Sequence, residues 1–462
     1  MSRASQDQAR VMSRAEAEAL AKRVLAFAKA TETRVSIING VRGNTRFAVN
    51  QVSTAGDNVD TTIVVRSVVG KKVGSSTTNR VDDAGLKAVV ESSERLARLS
   101  PDDAELMPEL GPQQYRDGLG WSDRTAALDP AGRAAGVRLI TDQSKAAGLV
   151  GTGYLETRAT AQAIANSKGL FAYTRDTSVA LTTTVRNEEG TGSGWAGNTS
   201  SDWGQIDPAA LGARAVDKAR RSTPASAVEP GRYTVILEPT AVGNLVQLIL
   251  GATSARNADE GRSFFTKQGG GNKIGSKIVD ERVSLVSDPF DPQTPGSPFT
   301  ADGLPTDRVV WVEDGVVRNL NYDRYWAEKQ GKQPTGVSGG GFGFSGVLKM
   351  SGGSETLESM IAGCQRGLLV TRFWYIRPVD PRTILYTGLT RDGTFLIENG
   401  KITRAVRNLR FNESPIFMLN NIEAMGAPVR VSSSESGSPG SSVVVPPLRV
   451  RDFNFTSLSE AV

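Results

Sequence analysis

The sequence predicts an α+β protein in two parts. Residues 1–225 read as an N-terminal α+β half in which helices accompany an antiparallel sheet, and residues 226–462 as a strand-rich half built mainly from antiparallel hairpins. Three observations predict this. In the first half, blocks of helical periodicity alternate with blocks of strand periodicity. Residues 222–231, with Thr223-Pro224 and Pro230-Gly231, read as a linker. Beyond them Gly and β-branched residues rise, and two hairpin signals occur, Asp314-Gly315 and Asn399-Gly400.

The elements follow in order. Ser13-Arg14-Ala15-Glu16 has capping-box spacing, and Ala17, Leu20, Val24 and Phe27 recur behind it, so the chain opens on an amphipathic helix. Residues 35–38, 45–49 and 61–69 read as strands parted by Gly and Asn turns, with a further turn at Gly70-Lys71-Lys72. Helices are expected at about 82–98 and 129–147. Strands at 151–165, 169–173 and 178–186 follow, the first two joined by the turn Asn166-Ser167-Lys168-Gly169. Asp207-Pro208 starts a helix to about Arg221, an N-cap followed by proline at the first helical position. In the second half, strands at 309–312 and 316–320 flank Asp314-Gly315, and strands at 394–397 and 401–406 flank Asn399-Gly400.

Composition narrows the chemistry. The 462 residues include one Cys and no His. Without imidazole there is no Ser-His-Asp or Cys-His relay, no His-Glu zinc helix and no triad of two His and a carboxylate. Hydrophobic residues at 39% and charged residues at 22% are those of an ordinary soluble globular chain. A net charge of +5 with no long run of one sign implies neither nucleic acid nor membrane as partner. A single Cys excludes an intrachain disulfide. The N-terminal residues lack a signal-peptide apolar run and no stretch is long and apolar enough for a membrane span, so a cytoplasmic location is expected.

Several strings resemble chemical motifs and have plainer readings. Gly341-Phe342-Gly343-Phe344-Ser345-Gly346 matches a dinucleotide fingerprint but lacks the preceding strand and following helix, and Val347-Leu348-Lys349-Met350 continues as a strand, so a glycine-rich bend is expected. Gly336-Val337-Ser338-Gly339-Gly340 matches a nucleophile elbow, yet no His exists to take the Ser proton. Cys364 shares a face with Leu357 and Ile361 on a helix expected from about Ser354 to Gly367, which places the thiol in the core. The adjacent carboxylates Asp259-Glu260, Asp280-Glu281 and Glu313-Asp314 read as solvated turn residues rather than a Mg or Ca site.

One set of strings is specific through its order and spacing. Residues 257–265 (Asn-Ala-Asp-Glu-Gly-Arg-Ser-Phe-Phe), Gly271-Asn272-Lys273-Ile274-Gly275, the Asp288-Pro289 turn, residues 364–371 and residues 387–400 resemble the TldD/PmbA family, metallopeptidase-type proteins once described as modulators of DNA gyrase. Asn44-Thr45-Arg46-Phe47-Ala48, Thr78-Asn79 and residues 164–169 extend the resemblance over nearly the whole chain. The family's catalytic subunit carries a His-Glu-x-x-x-His helix and a distal Cys as zinc ligands, and it works with a sister subunit that lacks them. Here the equivalent helix follows a strand at 233–237 and begins at Pro239, with neither His nor the Glu base. The equivalent C-terminal region, residues 431–442, is rich in Ser and Gly and has no thiol.

The resemblance is thus to the PmbA-like (TldE) subunit. It implies no catalytic residue and no metal ligand in this chain, a zinc-bearing TldD-like partner, and an unfolded or extended peptide as substrate. Two groups are candidates for the peptide path or the subunit interface. Asn244 and Gln247 share a stripe with Gly251 and Ser254, which is either an ordinary amphipathic face or a polar wall. Tyr375, Arg377 and Arg391 lie in or near a run at 372–377 that alternates large side chains, which is either a lining or sheet packing. A stand-alone, catalytically inactive peptide-binding or assembly protein is the alternative.

Overall fold

Ser13 opens the first helix as its spacing predicts. In the computed structural model, which describes residues 11–337, 348–433, 435 and 442–459, helix α1 (Arg14–Ala26) is capped reciprocally by Ser13 and Glu16 and buries Ala17, Leu20, Ala21 and Val24. Strands β1 (Glu32–Ala48) and β2 (Gln51–Val69) then form one long hairpin. The turn expected after residue 38 does not exist, because Gly40 and Gly43 serve close packing instead. A Cβ on Gly40 would lie 3.1 Å from the Ala159 carbonyl, and one on Gly43 would lie 2.3 Å from the Arg133 guanidinium. The chain reverses at Val49-Asn50, whose φ values of 49° and 60° suit a tight hairpin turn.

Strand β3 (Lys72–Thr78) leads into α2 (Asp83–Leu99), the short α3 (Asp123–Ala126) and α4 (Pro130–Ala146). Strands β4 (Val150–Asn166), β5 (Phe171–Arg186) and β6 (Ser193–Ser200) complete an antiparallel sheet of order β3-β2-β1-β4-β5-β6, and α5 (Pro208–Arg221) follows. The two strands expected at 169–173 and 178–186 are one, since residues 174–177 stay in register with β4 from Gln162 to Ala159. Asp82, Asp129 and Asp207 each cap their helix through the side chain. The helices cover one face, where odd-numbered residues such as Val35, Ile37, Leu155 and Leu181 point. The even-numbered face is left to the second half of the chain.

That half is built round a helix. β7 (Ala225–Ser226) and β8 (Gly231–Leu237) lead to α6 (Pro239–Gly251) and the short α7 (Ala255–Asp259). β9 (Leu285–Ser287), β10 (Val309–Glu313), β11 (Val316–Val317) and β12 (Leu348–Met350) join β20 (Val429–Ser432) and β21 (Ser442–Val445) in a six-stranded sheet, order β11-β10-β9-β12-β21-β20, with α8 (Arg324–Lys329) beside it. A ten-stranded sheet takes β7, β8, β13 (Arg366–Val370), β14 (Phe373–Asp380), β15 (Leu385–Thr390), β16 (Thr394–Glu398), β17 (Lys401–Val406), β18 (Leu409–Glu413), β19 (Ile422–Met425) and β22 (Leu448–Leu458). Most of its pairs are antiparallel; β8 with β13 and β7 with β17 are parallel. Both predicted hairpins form, with Asp314-Gly315 and Asn399-Gly400 at positive φ.

Helix α6 sits between the two sheets. Ala241, Val242, Leu245, Val246 and Ile249 pack in one core with Val235 and Leu237 of one sheet and Val431, Val443 and Val445 of the other. The helix expected from about 354 to 367 is only α9 (Leu357–Ala362), because Thr356 and Ser359 form its capping box and the chain turns at Gly363. Cys364 lies just past that turn, 3% exposed against Met360, Leu369 and Phe395. Gly367 belongs to β13, where a Cβ would meet the Thr234 carbonyl at 2.5 Å. The last of the helices, α10 (Pro415–Asn420), packs against α6.

Candidate functional site

The polar stripe of α6 faces the C-terminal segment. Asn244 is 1% exposed; its Nδ2 donates to the Ser433 carbonyl (2.9 Å) and its Oδ1 accepts the Phe373 N–H (3.1 Å). Gln247 Nε2 donates to the same Ser433 carbonyl at 2.6 Å. One helical turn thus ties β14 and the segment at Ser433 to α6. A buried amide with both ends satisfied is a rigid fixture, since leaving either partner unpaired costs about 1–3 kcal/mol. Ser254, also on the stripe, caps α7 instead.

A second set of groups meets the segment two residues on. Arg372 is 3% exposed, and its guanidinium donates to Asp392 (3.3 Å) and the Glu435 carbonyl (2.5 Å) while lying 4.3 Å from the Trp195 ring centroid and 5.2 Å from that of Trp374. Burial presses its pKa down to about 10, with Asp392 opposing, so it is a cation at neutral pH. Asp392 also accepts a hydrogen bond from the Ser193 hydroxyl of β6, which joins the two halves of the chain. The Glu435 carboxylate accepts the Ile376 N–H (2.6 Å) and pairs with Arg377 at 3.5 Å.

Three of the five residues singled out by sequence contact Ser433 or Glu435, and the other two lie beside their partners. Asn244 and Gln247 hold Ser433. Arg377 pairs with Glu435 and lies 4.2 Å over the ring of Tyr375, itself 51% exposed. Arg391 lies over Trp374 and 3.9 Å from Asp392. Strict alternation through 372–377 fails, because β14 shifts register between Trp374 and Arg377 and Tyr375 takes φ 54°, so Phe373 and Ile376 are both buried. Trp195, Arg372, Asp392 and Glu435 were missed by sequence reasoning. Arg372 begins the run that was noticed, whereas nothing in a Ser- and Gly-rich stretch marks Glu435.

The chemistry open to this junction is recognition. Zinc takes imidazole, thiolate or carboxylate ligands, and α6 offers the segment two amide nitrogens that already donate to a carbonyl, a donor set that does not fit the metal. Among the described residues no cluster of three or more His, Cys, Asp or Glu is placed to hold a metal ion. The acidic pairs are otherwise engaged: Asp259 accepts from Trp326 Nε1 (2.7 Å), Asp280 pairs with Arg282 and Glu313 with Arg318. Cys364 is buried away from the junction, and burial raises its thiol pKa. The glycine tract at 338–347 lies outside the described residues. No helix among the described residues is long and apolar enough to cross a membrane.

β6 connects the junction to a cavity. Its Ser193 end meets Asp392, and its Thr199-Ser200 end lines a space of about 730 Å³ between the open face of the first sheet and residues 293–301. The class this architecture defines is an α+β chain with antiparallel and mixed sheets. Models of the PmbA/TldA metallopeptidase domain 1, central domain and C-terminal domain match residues 33–97, 123–223 and 230–457. The chain belongs to the TldD/PmbA family.

The fold is similar to that of TldE from Thermococcus kodakarensis, with a TM-score of 0.82 and 19% identity over 95% of this chain and 99% of that one. A metalloprotease of Methanothermobacter thermautotrophicus is 26% identical over 340 residues, 68% of this chain and 72% of that one. A zinc metalloprotease TldD homolog of Saccharolobus solfataricus is 24% identical over 249 residues, half of each chain (50% and 51%).

Proposed function

We propose that this chain is the zinc-ligand-free subunit of a heterodimeric TldD/TldE-type metalloprotease of the cytoplasm, one that cleaves unfolded or extended peptides. Its part is to shape the peptide chamber around a zinc site held by a TldD-like partner. The junction between α6 and the C-terminal segment carries this reading. In the family these two elements supply the metal ligands of the catalytic subunit, and here two side-chain amides on a carbonyl, Asn244 and Gln247 on Ser433, link them instead. Tyr375, Arg377 and Arg391, beside that junction, are the proposed peptide or interface contacts. An extended peptide also finds a strand edge that is unpaired among the described residues, since residues 51–62 of β2 pair with β1 on one side and pairing with β3 starts only at Ile63 on the other.

The test is co-expression of the tagged chain with a homologue that bears the His-Glu-x-x-x-His helix. A one-to-one complex with one zinc per pair, and hydrolysis of an unstructured peptide by the pair but by neither chain alone, is the expected result. A chain that stays alone on sizing defeats the subunit reading and leaves the stand-alone binding protein. Stoichiometric zinc and hydrolysis in the single chain defeat both.

A further inference from the structure

We infer that the cavity on the open face of the first sheet is a binding pocket for a primary ammonium group, the side chain of a lysine or the amino terminus of a peptide, with Asp176 as its counter-ion. The inference is separate from the subunit reading, because it concerns another part of the chain and is measured on this chain alone.

Strand register builds the pocket. β4 and β5 set Thr160 opposite Asp176 and Gln162 opposite Thr174, and even-numbered side chains point away from the helices into the cavity. The roof is the loop at 293–301, which contributes hydroxyls and Phe299 and no charge. Ile38, Ile164 and Phe299 supply apolar wall for the methylenes of a lysine stem. The volume, about 730 Å³, is in the range of small-ligand pockets and admits several residues of an extended peptide.

Asp176 is set apart by what it lacks. Buried carboxylates elsewhere in the chain are satisfied in place: Glu156 by Arg42 and Arg158, Glu109 by Arg34 and Arg66, Asp392 by Arg372, and Glu413 by two backbone N–H groups. Asp176 accepts one hydrogen bond, from Gln162 Nε2 at 3.2 Å, and among the described residues no Lys or Arg forms an ion pair with it. The charged groups lining the same cavity are Arg158, whose Nε is 2.5 Å from Glu156, and Arg175, whose guanidinium lies 4.3 Å from the Trp121 ring centroid. β1, β6 and the roof bring no charged side chain to it. Burial pushes the carboxyl up to about 6, against the Gln162 hydrogen bond and the attraction of Arg158. A half-buried carboxylate whose neighbouring cations are engaged elsewhere is costly, and one that opens on a cavity can receive a cation from a ligand.

The probes are three peptides of one length titrated calorimetrically into the full chain: acetyl-Ala-Ala-Lys-Ala-Ala-amide, its norleucine counterpart, and the norleucine peptide with a free amino terminus. At pH 7.5 at least one ammonium-bearing peptide binds tenfold or more tightly than the neutral peptide, and which one it is distinguishes side chain from terminus. Asp176→Asn, nearly isosteric, removes the preference. At pH 5 only about a tenth of Asp176 is ionised, so the affinity of the unaltered chain for the ammonium peptide falls about tenfold. Equal binding of the three peptides overturns the inference, as does a preference that survives Asp176→Asn.

Discussion

Glu413 offers a sharp test of the packing of the second half, because the chain has no histidine to obscure it. The residue ends β18 and is 5% exposed; its two oxygens accept the backbone N–H groups of Ser414 (2.8 Å) and Asn454 (3.1 Å). Burial outweighs these bonds and pushes the carboxyl from its ordinary value of 4.5 to about 7. Its folded pKa thus lies above its unfolded one. The neutral form's contribution to stability is complete below pH 4.5 and is lost as pH rises through 7, about 2.5 kcal/mol of it between pH 5 and 8.

Among the described residues, Asp176 is the other carboxyl raised toward this window, to about 6. Unfolding at pH 6 therefore releases about 0.9 proton from Glu413 and about 0.5 from Asp176. The assay is a urea jump in weakly buffered solution with a pH indicator, for the unaltered chain and for Glu413→Gln. The glutamine leaves one backbone N–H facing an amide NH₂, a cost of about 1–3 kcal/mol that does not vary with pH, so proton release rather than stability is the readout. Release should drop from about 1.4 to about 0.5 proton. If the variant releases as many protons as the parent, the burial argument for Glu413 is wrong.

Two more predictions come from close contacts. On Gly194 of β6 a Cβ would lie 2.2 Å from the Ala215 carbonyl and 2.5 Å from the Ala219 nitrogen of α5, so Gly194→Ala should destabilise by about 1–3 kcal/mol in denaturant melts. Gly56, with nothing within 4 Å, is the control, and equal losses at the two positions would refute the argument. Cys364, buried and with its thiol pKa raised, should react with a disulfide reagent at pH 8 no faster than the chain unfolds; rapid modification of folded protein would show an exposed thiol.

What could be read from the sequence was whatever is local. Four helix starts were legible because Ser13, Asp82, Asp129 and Asp207 cap within three residues of themselves, and two hairpins because Asp314-Gly315 and Asn399-Gly400 carry their own turn geometry. Gly40 and Gly43 misled for the opposite reason. Their cause is tertiary, the approach of Ala159 and Arg133, and a glycine in sequence does not reveal whether it bends the chain or admits a neighbour. The network at Ser433 and Glu435 was half legible. Its exposed or helical members, such as Gln247 and Arg377, sit in noticeable local patterns. Asp392, Trp195 and Glu435 come together with Arg372 only through strand order and the docking of β6 on the second half.

The helix α6 shows why its polar stripe does not mark a solvated face. Its sequence presents Asn244 and Gln247 opposite Val242, Leu245 and Ile249, a pattern that ordinarily means one face in the core and one in water. Between two sheets only Gln247 and Leu248 of the middle turns keep partial exposure, and Asn244 is as buried as Leu245. A polar residue there persists only with its bonds satisfied, and the partners that satisfy it are the Phe373 N–H and the Ser433 carbonyl. The stripe therefore lies where α6 meets the C-terminal segment within the chain. Substitutions at Asn244 must act on the position of that segment before they can act on any peptide. The exposed Tyr375 is where a peptide or partner contact can be probed with least disturbance to it, since Arg377 pairs with Glu435 of the segment.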